Sequence, residues 1–252
     1  MGFRFTPYSH SKISSHQQCP RKFKYYYVDK VPHPKVPQIH FDKGKLIHMM
    51  FEFDGNLKKI QEQREYKDII KHGLVKKEDI IAYFKVYKSF RKNSIFSRKV
   101  LFKELSIGIT SNFDKTGYSS KDAMFRGYID AVFLDEASDT PIIVDWKTGK
   151  DKTKEQQSWQ QLLFYGTALF KLMPYDKIVL LYAYVEHDHV LTKVLHRKDL
   201  AKYEKALMDT VFTVESDFVF PKIESPLCNY CDFQEHCLQD TDVYLPDEEI
   251  PF

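Results

Sequence analysis

The chain has 252 residues, a formal net charge of +3 and a hydrophobic share of 43%, with 20 Phe and 16 Tyr but only 9 Gly. This length accommodates one catalytic domain with an elaboration and excludes two independent enzymes, and the composition excludes a disordered chain. No apolar run approaches the roughly 18 residues of a membrane span, and the N-terminus lacks a secretory signal. The expectation is a cytoplasmic protein of a bacterial, archaeal or phage-infected cell.

Charge is unevenly spread. Residues 1–50 carry nine Lys and Arg against Asp29 and Asp42, whereas from Asp232 onward there are seven acidic residues and no Lys or Arg. The basic end can face phosphates or simply be solvated.

In chain order, Ser11 to Val28 is predicted to form two short helices joined at Cys19-Pro20, because proline disfavours helix at the residue before it. Pro32, Pro34 and Pro37 mark an extended connector. An apolar period near 3.6 then runs from Lys45 to Arg64, interrupted by Gly55, and a further helix is predicted from Lys77 to Lys92. From Leu101 the period becomes two, giving strands Leu101 to Ile109, Phe125 to Leu134 and Ile142 to Lys147, the last two as an antiparallel pair. A helix from Glu155 to Met173, strands Ile178 to Val185 and Val190 to His196, and a last helix capped by Asp199 and reaching Val214 complete the pattern. This order specifies an α/β core with a helical annex.

Within Ile142-Ile143-Val144-Asp145-Trp146-Lys147 the strand period places Asp145 and Lys147 on one face and Val144 and Trp146 on the other. Asp130, on the preceding strand, is positioned to meet Asp145 across the ladder. Two carboxylates brought together repel unless a cation lies between them, and oxygen donors suit magnesium or manganese. Such a site fits phosphodiester hydrolysis, with lysine stabilising the developing charge. A turn aspartate beside a surface ion pair fits the same spacing. Glu104, on the strand before, ranks lower, as a group behind the ligands or a solvated charge.

Cys19 and the run Cys228, Cys231, Cys237 account for all four cysteines. In an intracellular protein this spacing points to metal thiolates rather than disulfides, and four thiolates can hold zinc or a four-iron cluster.

Four motifs stand in one order: Gly44-Lys45-Leu46-Ile47-His48, Gly127-Tyr128-Ile129-Asp130, Asp145-Trp146-Lys147-Thr148-Gly149 and Gln161-Leu162-Leu163-Phe164-Tyr165. They resemble the Gly-x-x-x-His, Gly-x-x-Asp, Asp-x-Lys-Thr-Gly and Gln-x-x-x-Tyr elements of the PD-(D/E)XK nuclease superfamily, in its RecB-like branch. The resemblance implies a restriction-endonuclease-like core, a central mixed sheet flanked by helices. An N-terminal helical annex would be stapled to the C-terminal segment by the four cysteines. It implies that His48, Asp130, Asp145 and the Trp146 carbonyl bind metal, that Lys147 is catalytic, and that Gln161 and Tyr165 act at the site on DNA. The one-plus-three cysteines resemble the iron-sulfur clasp of AddB-like and CRISPR-associated exonucleases, which favours a 4Fe-4S cluster over zinc. Arg21, Lys22 and Lys24 would then track DNA phosphates, and Tyr25, Tyr26 and Tyr27 stack on bases, with core packing of one or two of these rings as the other reading.

The organisation expected is one RecB-like nuclease domain over residues 1–238. Its parts are N-terminal helices at 8–64, a helical insert at 67–99, a catalytic core at 100–215 and the clasp of residue 19 with 228–237. An acidic tail over 239–252 follows. The function implied is a metal-dependent DNA exonuclease acting on single strands or duplex ends in recombination, repair or replication. A CRISPR-adaptation nuclease trimming captured DNA, or a DNA-binding or scaffold protein of the same fold, are the alternatives. The tail ends in Ile250, Pro251 and Phe252 after an acidic run, which resembles the tips of bacterial single-stranded-DNA-binding proteins. That implies docking to a replication or repair protein, with a solvated tail as the other reading.

Overall fold

A computed structural model describes residues 3–33 and 37–240; Ile250, Pro251 and Phe252 lie outside the described residues. The chain forms two compact units, Met1–Ile13 with Pro37–Asp217, and Ser14–Val36 with Phe218–Phe252.

The larger unit is built on a six-stranded mixed sheet, ordered β2-β1-β3-β4-β5-β6. Its strands are β1 (Lys99–Ile109), β2 (Lys115–Thr116), β3 (Phe125–Asp135), β4 (Thr140–Lys147), β5 (Lys177–Tyr184) and β6 (His189–His196). All neighbours are antiparallel except β4 and β5. Parallel neighbours need a long crossover, and the helix Gln160–Leu172 lies within that connection. The sequence places the long strands but not β2, whose two residues are too few to show a period.

Helices pack on the sheet according to the strand alternation. Ala131, Phe133, Ile142, Val144, Trp146, Leu181 and Ala183 form one buried cluster with Leu46, Ile47, Met50, Phe51 and Phe90. Most of these helical residues belong to α3 (Ile39–Glu52), which follows α1 (His10–Gln18) and α2 (Pro20–Tyr27). The apolar period from Lys45 to Arg64 breaks around Gly55: α3 stops at Glu52, and α4 (Leu57–Glu62) and α5 (Arg64–His72) follow. Asp54 and Gly55 adopt φ of 52° and 70°, left-handed backbone that a helix interior does not accept. A side chain at Gly55 would also lie 2.6 Å from the Tyr87 ring, which belongs to α6 (Lys77–Phe90).

The helix expected from Glu155 begins later, as α7 (Gln160–Leu172). Its intended first turn is drawn onto β5 instead: the Tyr182 hydroxyl donates to Ser158 O at 3.1 Å and the Tyr184 hydroxyl to Gln157 Oε1. Asp199 stands at the start of α8 (Leu200–Glu215), but its side chain makes no capping bond. No helix among the described residues is long and apolar enough to cross a membrane.

In the smaller unit, α1 and α2 part where predicted. Cys19 is extended, and Pro20 occupies the first turn of α2, where a missing N–H costs nothing. The unit packs through aromatic rings, with Phe23 stacked on Phe220 at 6.2 Å and Tyr25 and Tyr26 both against Phe233. A last short helix, α9 (Gln234–Gln239), carries Cys237.

Candidate active site

The site lies at one end of the sheet, where α3, β1, β3 and β4 each contribute a residue. Ala131 pairs with Val144 in the antiparallel β3–β4 ladder, and past that pair the Asp130 side chain takes over from the backbone. Its Oδ2 accepts the Trp146 N–H at 2.9 Å. His48, on α3, has Nε2 2.9 Å from the Trp146 carbonyl oxygen and Nδ1 3.5 Å from the same Asp130 oxygen. A carbonyl only accepts, so Nε2 carries hydrogen and Nδ1 turns a lone pair toward a carboxylate unless the ring is charged. That arrangement calls for a cation.

Glu104, on β1, joins this group: His48, Glu104 and Asp130 each bring a donor atom to within 4.8 Å of the other two. Burial, opposed by His48 and reinforced by the Asp145 charge, pushes the Asp130 carboxyl up to about 6. Burial and then the Asp130 charge push Glu104 up to about 8. Both therefore give up a proton to a binding cation across that pH range. A cavity of about 300 Å³ opens beside them, lined by His48, Glu52, Glu65 and Glu104 among others.

On β4, Asp145 is 4% exposed. Its Oδ2 lies 2.6 Å from Lys147 Nζ, yet the contact lacks hydrogen-bond geometry and leaves this buried oxygen without a hydrogen-bond donor. Lys147 donates to Gln161 Oε1 at 3.0 Å, and the Gln161 amide donates to the Tyr165 hydroxyl at 3.4 Å. The motif residues on α7 thus form a chain ending on the lysine. Gly127 makes room for it, since a side chain there would lie 2.9 Å from the Tyr165 ring. Gly44 similarly brings α3 close to Thr148, whose Oγ1 would stand 3.3 Å from an added Cβ.

An octahedral ion with ligands at about 2.0–2.1 Å sets neighbouring donors about 3 Å apart. The pair that can share an ion is His48 Nδ1 and the Asp130 oxygen, 3.5 Å apart, with Glu104 beside them; the shorter contact of Nε2 with the Trp146 carbonyl is a hydrogen bond. The residues present fit a divalent metal. His10, which the sequence does not single out, begins α1 near Lys147 and Asp145; burial and then the Lys147 charge lower its pKa. Glu104 is the other group that sequence reasoning undervalued, because its role follows from cross-strand register rather than from a motif.

The smaller unit holds all four cysteines on the wall of one cavity of about 400 Å³, together with Lys22 and Lys222. None forms a disulfide, and no three of their sulfurs lie within 4.8 Å of one another among the described residues. The described residues do not show a closed four-cysteine cluster; the thiols share a cavity. The basic residues assigned to DNA are partly engaged within this unit. Arg21 is buried, donates to Phe220 O at 2.8 Å and pairs with Asp240. Lys24 stands 3.4 Å from Asp29, and Lys22 lies over the Tyr26 ring. Tyr25 and Tyr26 donate to Asp240 and Asp232. Tyr165 is likewise buried, with 7% of its surface exposed.

No curated protein matches the sequence significantly. Among solved structures, the crystal structure of SSO0001 is similar over 92% of this chain and 94% of that chain, at 15% identity and a TM-score of 0.34, a likeness that carries no argument. The sequence profile described as the PD-(D/E)XK nuclease superfamily matches residues 7–238, a span that includes all four motifs and every group of the site. This chain belongs to the PD-(D/E)XK nuclease superfamily.

Proposed function

We propose that the protein is a divalent-metal-dependent DNA exonuclease of the RecB-like branch, acting on single strands or duplex ends in recombination, repair or replication. The observation that carries the nuclease reading is the convergence of His48, Glu104 and Asp130 within 4.8 Å, next to the buried Asp145 carboxylate that Lys147 faces at 2.6 Å. Once ionised, the two carboxylates only accept, so they crowd together at a cost that a bound cation removes. The exonuclease assignment follows from the resemblance of the four motifs to that branch.

His48, Glu104, Asp130, Asp145 and the Trp146 carbonyl would hold magnesium or manganese, which polarises a phosphoryl oxygen and lowers the pKa of an attacking water. The chain's own groups orient the reaction. Lys147 meets the negative charge that builds on the phosphate. Gln161 holds the lysine through its carbonyl oxygen, and Tyr165 fixes Gln161 from the helix side. End-labelled single-stranded and duplex DNA should be degraded with manganese and left intact with a chelator. The rate should rise with pH between about 6 and about 8, as Asp130 and Glu104 lose the protons that compete with the metal. No hydrolysis with either metal would sink the reading, and release of internal fragments before end nucleotides would replace exonuclease by endonuclease.

The same proposal assigns a 4Fe-4S cluster to Cys19, Cys228, Cys231 and Cys237. Support comes from the shared cavity of about 400 Å³ that all four cysteines line and from the resemblance of their one-plus-three spacing to the iron-sulfur clasp. Lys22 and Lys222 on the cavity wall suit the negative charge of such a cluster. Protein purified without oxygen should be brown, with about four irons per chain, and Cys228→Ala should lose both colour and iron. Colourless protein with one zinc per chain would overturn the assignment.

A further inference from the structure

Strand β3 carries more than Asp130. Arg126 and Tyr128 precede it by four and two residues, so the strand period turns all three to one side, away from Gly127, which faces Tyr165. At about 3.3 Å per residue, Tyr128 lies about 6.6 Å along the strand from Asp130. That step is comparable to the reach of one nucleotide in an unstacked strand.

The neighbouring lane on β1 is low. Ser106 pairs with Tyr128 and Gly108 with Arg126. Because Gly108 has no side chain, the Gly117 carbonyl can approach to where a Cβ would lie only 2.6 Å away, and the turn after β2 folds over the strand. This brings the Tyr118 ring to 4.6 Å from that of Tyr128 and places the Arg126 guanidinium 5.2 Å from the Tyr118 ring. Tyr128 nevertheless stays 47% exposed, which core packing does not require.

The charges point the same way. Among the described residues no carboxylate lies within ion-pair distance of Arg126, whose contact is with the Tyr118 ring. Lys12 is close enough that, after burial, the Arg126 charge helps push its ammonium down to about 8. An arginine whose contact is a ring rather than a carboxylate, beside an exposed tyrosine, forms an anion-seeking, base-stacking surface.

We propose that Tyr128, backed by Tyr118, and Arg126 form a subsite for single-stranded DNA flanking the scissile phosphate, the Tyr128 ring stacking on a base and the guanidinium meeting a phosphate. The inference rests on the nuclease reading above and adds the path of the substrate strand along β3. Stacking tolerates any base, so the subsite grips a strand without reading its sequence.

The test is binding of a labelled oligothymidylate to the whole protein in calcium, with duplex DNA as the comparison and thermal melting as a folding control. Tyr128→Ala should weaken single-strand binding about 5- to 100-fold, and Tyr128→Trp should restore it. Arg126→Gln should reduce the slope of log affinity against log salt by about 0.7, the loss of one phosphate contact on a single strand. Equal single-strand affinity for wild type and Tyr128→Ala, both folded, overturns the subsite while leaving the nuclease intact; so does a tryptophan variant as weak as the alanine one. A wild-type protein that neither binds nor cuts DNA removes the nuclease reading itself.

Discussion

Asp130→Asn should reduce DNA hydrolysis by at least about a thousandfold, equivalent to about 4 kcal/mol of barrier, and at the same time stabilise the metal-free protein at pH 8. Asparagine keeps the volume and the oxygen that accepts the Trp146 N–H, so the contact between β3 and β4 has no reason to change. It removes the charge that faces His48 at 3.5 Å and that a divalent ion requires. The stability gain follows from the raised carboxyl, which burial moves from 3.8 to about 6. Below the unfolded pKa the acid is neutral in both states and costs nothing. As pH rises through the folded value, the native state must ionise a group that its surroundings disfavour, and stability on the order of a few kcal/mol is lost. The variant escapes that loss, so its advantage should be absent near pH 4 and largest above pH 7. A structural aspartate would give the opposite pattern, with melting temperature and activity falling together. Hydrolysis at the wild-type rate in manganese would remove Asp130 from the site.

Phe51→Ala should cost about 3–5 kcal/mol of stability, measured by urea unfolding. Phe51 is 4% exposed and lies face to face with Trp146 at 4.3 Å, with Phe96 stacked near both rings and Phe90 and Tyr87 edge-on to Phe51. Removing the ring leaves a cavity in a cluster with little room to collapse. Because Trp146 supplies the carbonyl and amide that contact His48 and Asp130, activity should fall even where the variant is fully folded. A loss below about 1 kcal/mol would mean that the helices of this face repack freely around the gap.

The parts of the molecule that were legible in the sequence are those whose signal is local. Asp145 and Lys147 share a face because a strand alternates, and the Cys19-Pro20 break shows because proline constrains its neighbour. Elements shaped by distant partners were not legible. The residues before Gln160 read as helix, but Tyr182 and Tyr184 hold them as turns. Arg21 and three successive tyrosines gave no local sign of which would turn inward, and it is Phe220 and Asp240, some two hundred residues away, that engage Arg21 and Tyr25. Glu104 stands alone in its strand, and only the pairing of Lys103 with Ala131 and Leu105 with Ile129 sets it opposite Asp130. Tyr128 lies inside a recognised motif, but its own side chain gains a role only when the turn after β2 brings Tyr118 to it.

Gly127 is usually the kind of residue explained by backbone freedom, but here its backbone is ordinary strand, and what matters is the clearance it leaves. The Tyr165 ring occupies the space that a methyl group would fill, 2.9 Å away, and the same helix carries Gln161 to the ammonium of Lys147. The gap between β3 and α7 is thus a mechanical tolerance on the lysine: any filling of it lifts the helix by a few tenths of an ångström, which is a large share of the slack in a 3.0 Å hydrogen bond. The aim of the Lys147 ammonium is set from a strand on which the lysine does not sit, by an atom that is not there.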